Sequence, residues 1–262
     1  MLNFLLYCVL IIFGTVGIFA LCGTVVSLCN TAFRRLGGGP IARFLSILGT
    51  PIHELGHLVM CLLFAHRVEG VCLWKPSGRD GVSGYVEHTY SRKNPYQVLG
   101  NLFIGTGPMF SGLLAVMLTV RFVFPSVYVK FITSSLSSAS VWGSLGGGFR
   151  SLWGIFGAFG GTWGHIALQV FALIFIVSVC LHMTLSPSDV KSCFKATPIY
   201  LALVLTVAGI TYLFRVQGIV YSAMATFFFV ALRLFMIIIC IEAVLVALGV
   251  LIWCIRKMFS RE

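Results

Sequence analysis

Six stretches of this chain, near residues 4–28, 43–65, 98–124, 163–184, 197–216 and 226–254, stay apolar for the length of a membrane-crossing helix. A hydrocarbon layer about 30 Å thick takes roughly 20 such residues, because each helical residue adds about 1.5 Å. With 59% hydrophobic and 10% charged residues and a mean hydropathy of +1.02, the chain has too little polar surface to dissolve as a globule. The stretches are continuously apolar rather than alternating, which excludes a β-barrel. The expected fold is an all-α polytopic membrane protein with about six transmembrane helices, a single transmembrane domain over residues 1–262. The first stretch lacks a basic n-region and is longer than a signal-peptide core, so it is read as a span.

Two segments interrupt this pattern. Residues 66–96 contain two β-prone runs, Val71–Trp74 and Gly84–Tyr90, around a turn region rich in Pro, Ser, Gly and Asp. That reads as a β-hairpin-like loop between the second and third spans. Residues 125–162 combine Ser and Gly with Trp142 and Trp153, as expected for a flexible interfacial linker.

The net charge of +11 is spread over short loops and forms no long basic tract, so it argues for placement at membrane borders and against nucleic acid. If both termini share a side, that side collects ten Lys and Arg against seven on the other, which favours cytosolic termini of a multi-pass protein in the cell membrane. The nine cysteines show no zinc-ribbon or disulfide-framework spacing and read as small hydrophobes.

Inside the second span stands His53-Glu54-Leu55-Gly56-His57, an H-E-x-x-H pattern. Ionisable groups in hydrocarbon cost several kcal/mol and by default mark a functional site. Residues four apart on a helix share a face, so both imidazoles can chelate one ion while Glu54, beside them, acts as general base on a water. The chain's own His and Glu frequencies make an accidental match expected roughly 0.003 times. Thr50-Pro51 looks like an N-cap and first-turn proline, so the span is expected to kink or restart there.

Catalytic zinc normally takes three protein ligands and water. His182 and Asp189, in "CLHMTLSPSDVKSC", are rival third ligands; His165, His66 and His88 are weaker candidates, the last two expected in the solvated loop. Ser186-Pro187 predicts a helix start with Asp189 in its first turn. Along "GNLFIGTGPMFSGLLA", small residues permit close helix approach, while Asn101 or Ser111 are candidate hydrogen-bond donors to a substrate carbonyl. Arg233 and Glu242, nine residues apart, face opposite sides of one helix and cannot pair with each other.

The H-E-x-x-H pattern in a span, the hairpin-like loop after it and "GTGPMFSGLLA" in the next span together resemble the site-2 protease family of intramembrane zinc metalloproteases, over roughly residues 45–190. The resemblance implies Zn²⁺, a membrane-associated loop that presents substrate as an extended strand, and hydrolysis of peptide bonds in transmembrane proteins or peptides within or near the bilayer. Two motifs depart from the family: Ser111 stands where asparagine is common, and no Leu-Asp-Gly occurs, Asp189 being its nearest equivalent in chain order. These departures keep open a non-proteolytic membrane zinc hydrolase or an inactive scaffold of the same fold. A transporter is a third alternative, motivated only by the polar residues in spans.

Overall fold

The computed structural model describes residues 2–12, 16–76, 83–137 and 140–259. It is 84% helical, with one small sheet, as expected of an all-α membrane protein. In chain order the elements are α1 (Leu2–Ile12), α2 (Ile18–Phe33), a π-helical turn (Arg34–Gly38), α3 (Gly39–Leu63), β1 (Arg67–Cys72), β2 (Tyr85–Thr89), α4 (Pro95–Val123), α5 (Pro125–Ser137), α6 (Val141–Gly157), α7 (Trp163–His182), α8 (Pro187–Leu213) and α9 (Gln217–Phe259). Among the described residues, five helical segments are long and apolar enough to cross a membrane: Ile18–Leu63, Pro95–Val123, Trp163–His182, Pro187–Leu213 and Gln217–Phe259.

The first expected span, 4–28, is described as two helices, while the break before the second falls inside the expected connection. α1 has 11 residues and α2 has 16, and the break between α2 and α3 falls at Gly37, whose φ of 108° belongs to a backbone region that glycine enters without steric cost. The chain reverses there. Along α2, Ser27 contacts the Leu185 carbonyl and Asn30 Nδ2 donates to the Leu181 carbonyl at 2.5 Å, so α2 runs antiparallel to α7. Along α3, the Leu45 carbonyl accepts from Ser178 Oγ and His53 reaches the His182 carbonyl, so α3 runs parallel to it. α3 also continues through Pro51 without restarting.

Helices α3 and α4 cross backbone to backbone. A methyl on Gly107 would lie 2.7 Å from the Gly56 carbonyl oxygen, and one on Gly56 would lie 2.6 Å from that of Gly107. In lipid, where apolar side chains gain nothing by leaving solvent, such close van der Waals approach and interhelical hydrogen bonds are what join helices. Ser111 supplies one of those bonds, donating to the Ile52 carbonyl at 2.7 Å. The apolar core beside this crossing is built from Phe19, Val26, Met109, Ile176, Val179, Phe235 and Ile238.

Residues 125–162 are not a flexible linker: they fold as α5 and α6 apart from short connections. Their Ser and Gly content has a different cause. Arg233 of α9, 1% exposed, donates to Ser134 Oγ (2.6 Å) and Ser135 Oγ (3.0 Å), and a methyl on Gly147 would lie 2.6 Å from its guanidinium carbon. The serines accept from the buried cation and the glycine leaves it room. Glu242 is fully buried and, among the described residues, its carboxylate oxygens have no hydrogen-bond partner.

The loop forms the expected hairpin. β1 and β2 pair antiparallel with an irregularity between Val68 and Gly70, and the Lys75 amide extends the pairing to the Ser83 carbonyl at 2.7 Å. The tip, residues 77–82, lies outside the described residues. Trp74 Nε1 donates to Ser46 Oγ at 3.2 Å, and Gly84 has no side chain to keep it from α3, since a methyl there would lie 2.8 Å from both Glu54 Cγ and Thr50 Cγ2.

The helix crossing predicts opposite signs for two glycine substitutions. Gly107→Ala overpacks the α3–α4 contact and lowers stability by about 1–3 kcal/mol. Gly209→Ala, in α8 with open space around it, raises stability by about 0.5–1 kcal/mol. Thermal unfolding of the two variants in detergent checks both.

Candidate metal centre

His53 and His57 occupy one face of α3, and each ring is oriented by a main-chain carbonyl. His53 Nδ1 donates to the His182 carbonyl at 2.6 Å, and His57 Nδ1 donates to the Ile104 carbonyl at 2.8 Å. Both carbonyls are free for a reason written in the sequence. His182 is the last residue of α7, where helical carbonyls have no partner within the helix. Ile104 is four residues before Pro108, which has no N–H to offer it.

With both Nδ1 atoms committed as donors, each Nε2 carries a lone pair. The two Nε2 atoms stand 3.2 Å apart, and Asp189 Oδ1 lies 3.7 Å from His57 Nε2. Ligand atoms of His53, His57 and Asp189 all fall within 4.8 Å of one another. Ligands held about 2.1 Å from a tetrahedral zinc stand about 3.4 Å from each other. The two contact distances lie on either side of that spacing, so donor types and geometry both suit a divalent zinc.

Asp189 meets the group because α8 starts as expected. The Ser186 amide donates to Asp189 Oδ2 at 2.8 Å and the Asp189 amide to Ser186 Oγ at 3.2 Å, a reciprocal capping box. One carboxylate oxygen therefore caps the helix while the other faces the imidazoles. α8 is brought up by α4, where a methyl on Gly105 would lie 2.7 Å from the Asp189 carbonyl oxygen. Glu54, 7% exposed, flanks the pair under the start of the hairpin.

Of the two rival third ligands, Asp189 joins the pair by its side chain. His182 contributes its main chain instead: its Nδ1 donates to the Ser178 carbonyl at 2.8 Å, Nε2 has no hydrogen-bond partner among the described residues, and Gly49 packs against the ring. His165 is exposed in the first turn of α7. His66 is not a solvated loop residue, and His88 is half-buried on β2 of the loop. His66 is buried and lies against His88, whose own imidazole is held below its usual pKa by burial and then by His66 and His57. Asn101 turns onto its own helix, Nδ2 donating to the Val98 carbonyl at 3.1 Å, and Ser111 Oγ is engaged at Ile52. The carbonyls of His182 and Ile104 cannot be paired with the imidazoles from spacing alone, although Pro108 and the end of α7 mark both as free.

The chain matches no family model, no curated protein and no solved structure.

Two substitutions separate the roles. Asp189→Asn keeps an oxygen for the cap but loses the charge, and is expected to weaken zinc binding by more than about 10-fold, whereas His182→Ala leaves it near wild type. Pro108→Ala returns an N–H to the Ile104 carbonyl, which then competes with His57 Nδ1; zinc affinity falls by about 10–100-fold, the usual cost of losing a hydrogen bond behind a ligand. Zinc competition titrations on purified protein check all three.

Proposed function

We propose that this chain is a zinc-dependent intramembrane metalloprotease that hydrolyses peptide bonds of membrane-protein substrates within or near the bilayer. The observation that carries the reading is the convergence of His53 Nε2, His57 Nε2 and Asp189 Oδ1 beside Glu54, at a hydrophobic helix crossing. The resemblance of the surrounding sequence to the site-2 protease family supports it.

In this reading His53, His57 and Asp189 hold the ion. Zinc supplies Lewis-acid polarisation of a carbonyl and lowers the pKa of a water it binds. Glu54 takes the proton from the attacking water and later delivers it to the leaving amine, while the carbonyls of His182 and Ile104 hold both rings in the tautomer that ligates. The hairpin, pressed on Glu54 through Gly84, offers backbone groups to a substrate segment that has left its helix, since a regular helix hides its amides.

Counting α2 and α3 as separate passes gives six, which returns both termini to one side. The excess of Lys and Arg on that side favours the cytosol.

A second reading keeps the ion and drops proteolysis: a membrane zinc hydrolase for another substrate, or an inactive scaffold. It is favoured by Ser111 and Asn101, whose donors are used between and within helices rather than left for a carbonyl oxygen.

Glu54→Gln is expected to retain zinc and to abolish cleavage of a co-expressed transmembrane substrate, read on immunoblots with inductively coupled plasma measurement of the metal. Full cleavage by this variant removes Glu54 from the chemistry. Turnover of a lipid ester with no peptide product from any membrane protein tested moves the assignment to the second reading.

A further inference from the structure

A second group of metal-ligating side chains lies at the C-terminal end of α3, one turn beyond His57. Ligand atoms of Cys61, His66 and His88 all fall within 4.8 Å of one another. They come from three places in the chain: the last turn of α3, the stretch where the chain leaves it, and the return strand β2 of the hairpin.

The local backbone is bent to bring them together. Ala65 takes a left-handed conformation, φ 53°, which costs a residue with a Cβ about 1–2 kcal/mol. The turn closes with the His66 amide on the Cys61 carbonyl at 2.8 Å, and it folds the His66 ring back over the helix end. Strained backbone away from glycine is a pointer to a site.

His66 is then fixed on three sides. Its Nε2 donates to the Gln97 carbonyl at 2.7 Å, its ring stacks on Tyr90 with centroids 5.0 Å apart, and Gly100 leaves space, a methyl there lying 3.0 Å from Nε2. The donor at Nε2 leaves a lone pair at Nδ1, which faces His88 Nδ1 at 3.0 Å. Cys61 is fully buried and no cysteine here is in a disulfide. A ligating histidine is held in the same way, its far nitrogen on a carbonyl and its near nitrogen left with a lone pair for an ion.

We propose that Cys61, His66 and His88 form a second zinc site, distinct from the one at His53 and His57, which staples the return strand of the hairpin to the end of α3. One sulfur and two imidazoles are donors that zinc takes, with water left to complete its four-coordinate shell. Binding replaces the Cys61 S–H proton by the metal and releases that proton to solvent. The staple sits at the far end of β2 from Gly84, so it fixes the strand that covers Glu54. It does not depend on the protease reading, and its test separates the two.

The test uses the full-length protein in detergent, stripped of metal and titrated with Co²⁺. Only the second site contains sulfur, so only it gives a near-ultraviolet thiolate-to-cobalt charge-transfer band. Wild type is expected to bind about two equivalents with the band present. The His53→Ala, His57→Ala double variant is expected to bind about one and keep the band. Cys61→Ser is expected to bind about one and lose it. Should Cys61→Ser fail to fold, His88→Asn, on the hairpin, carries the same expectation of a lost equivalent and a shifted or absent band. No band in wild type, or a band unchanged in Cys61→Ser, overturns the second site. A band and about one equivalent in wild type, both indifferent to His53 and His57, leave the second site standing and remove the first.

Discussion

Two imidazole nitrogens, each without a proton, face one another at 3.2 Å inside a low-dielectric helix crossing. Their far nitrogens are already spent on the His182 and Ile104 carbonyls, so neither ring can turn to relieve the contact without abandoning a buried hydrogen bond, at about 1–3 kcal/mol for each group left unpaired. In the proposed function a cation lies between them. A proton would serve only by making one ring a buried imidazolium, whose desolvation costs several kcal/mol and leaves the second Nε2 and Asp189 Oδ1 with a single shared charge. A divalent ion, as proposed, would engage all three.

The rest of the fold positions those three groups, and in lipid it does so by backbone proximity. Gly56 against Gly107 brings α4 close enough for the Ile104 carbonyl to reach His57, and Gly49 against Ser178 brings in the end of α7 for His53. Prolines contribute by what they withhold: Pro108 releases a carbonyl where a ring needs one, and Pro187 opens the helix whose capping box aims Asp189. The same logic of small residues around a polar group recurs at Arg233, where serines accept from the guanidinium and Gly147 makes room, so this cation is accommodated within a long apolar helix.

Much of this is legible in the chain itself. Long apolar runs give the helical membrane class, the turn chemistry around residues 70–90 gives the hairpin, and Ser186-Pro187 gives a helix start that exists with its cap. The two histidines of the second span announce their shared face by spacing alone. What could not be read is whatever depends on who lies across the gap. Ser and Gly in residues 125–162 look like a flexible linker until Arg233 is seen to need them. His66 and His88 look like loop residues until Ala65 turns one back over Cys61. Asp189 and His182 are equals in sequence, and only the packing of α8 on α4 separates a carboxylate that reaches the pair from a histidine that lends its carbonyl. The reversal at Gly37 falls in the connection expected between the first two spans, but hydropathy alone does not show that residues 4–28 hold two helices or that α2 and α3 leave only a five-residue turn between them.

The most direct measurement is an experimental structure of the zinc-loaded protein with data collected at the zinc absorption edge. A strong anomalous peak bounded by His53 Nε2, His57 Nε2 and Asp189 Oδ1, with both Nδ1 atoms still on their carbonyls, is the expected result. Imidazoles that point apart, or no peak between them with zinc in excess, would contradict it.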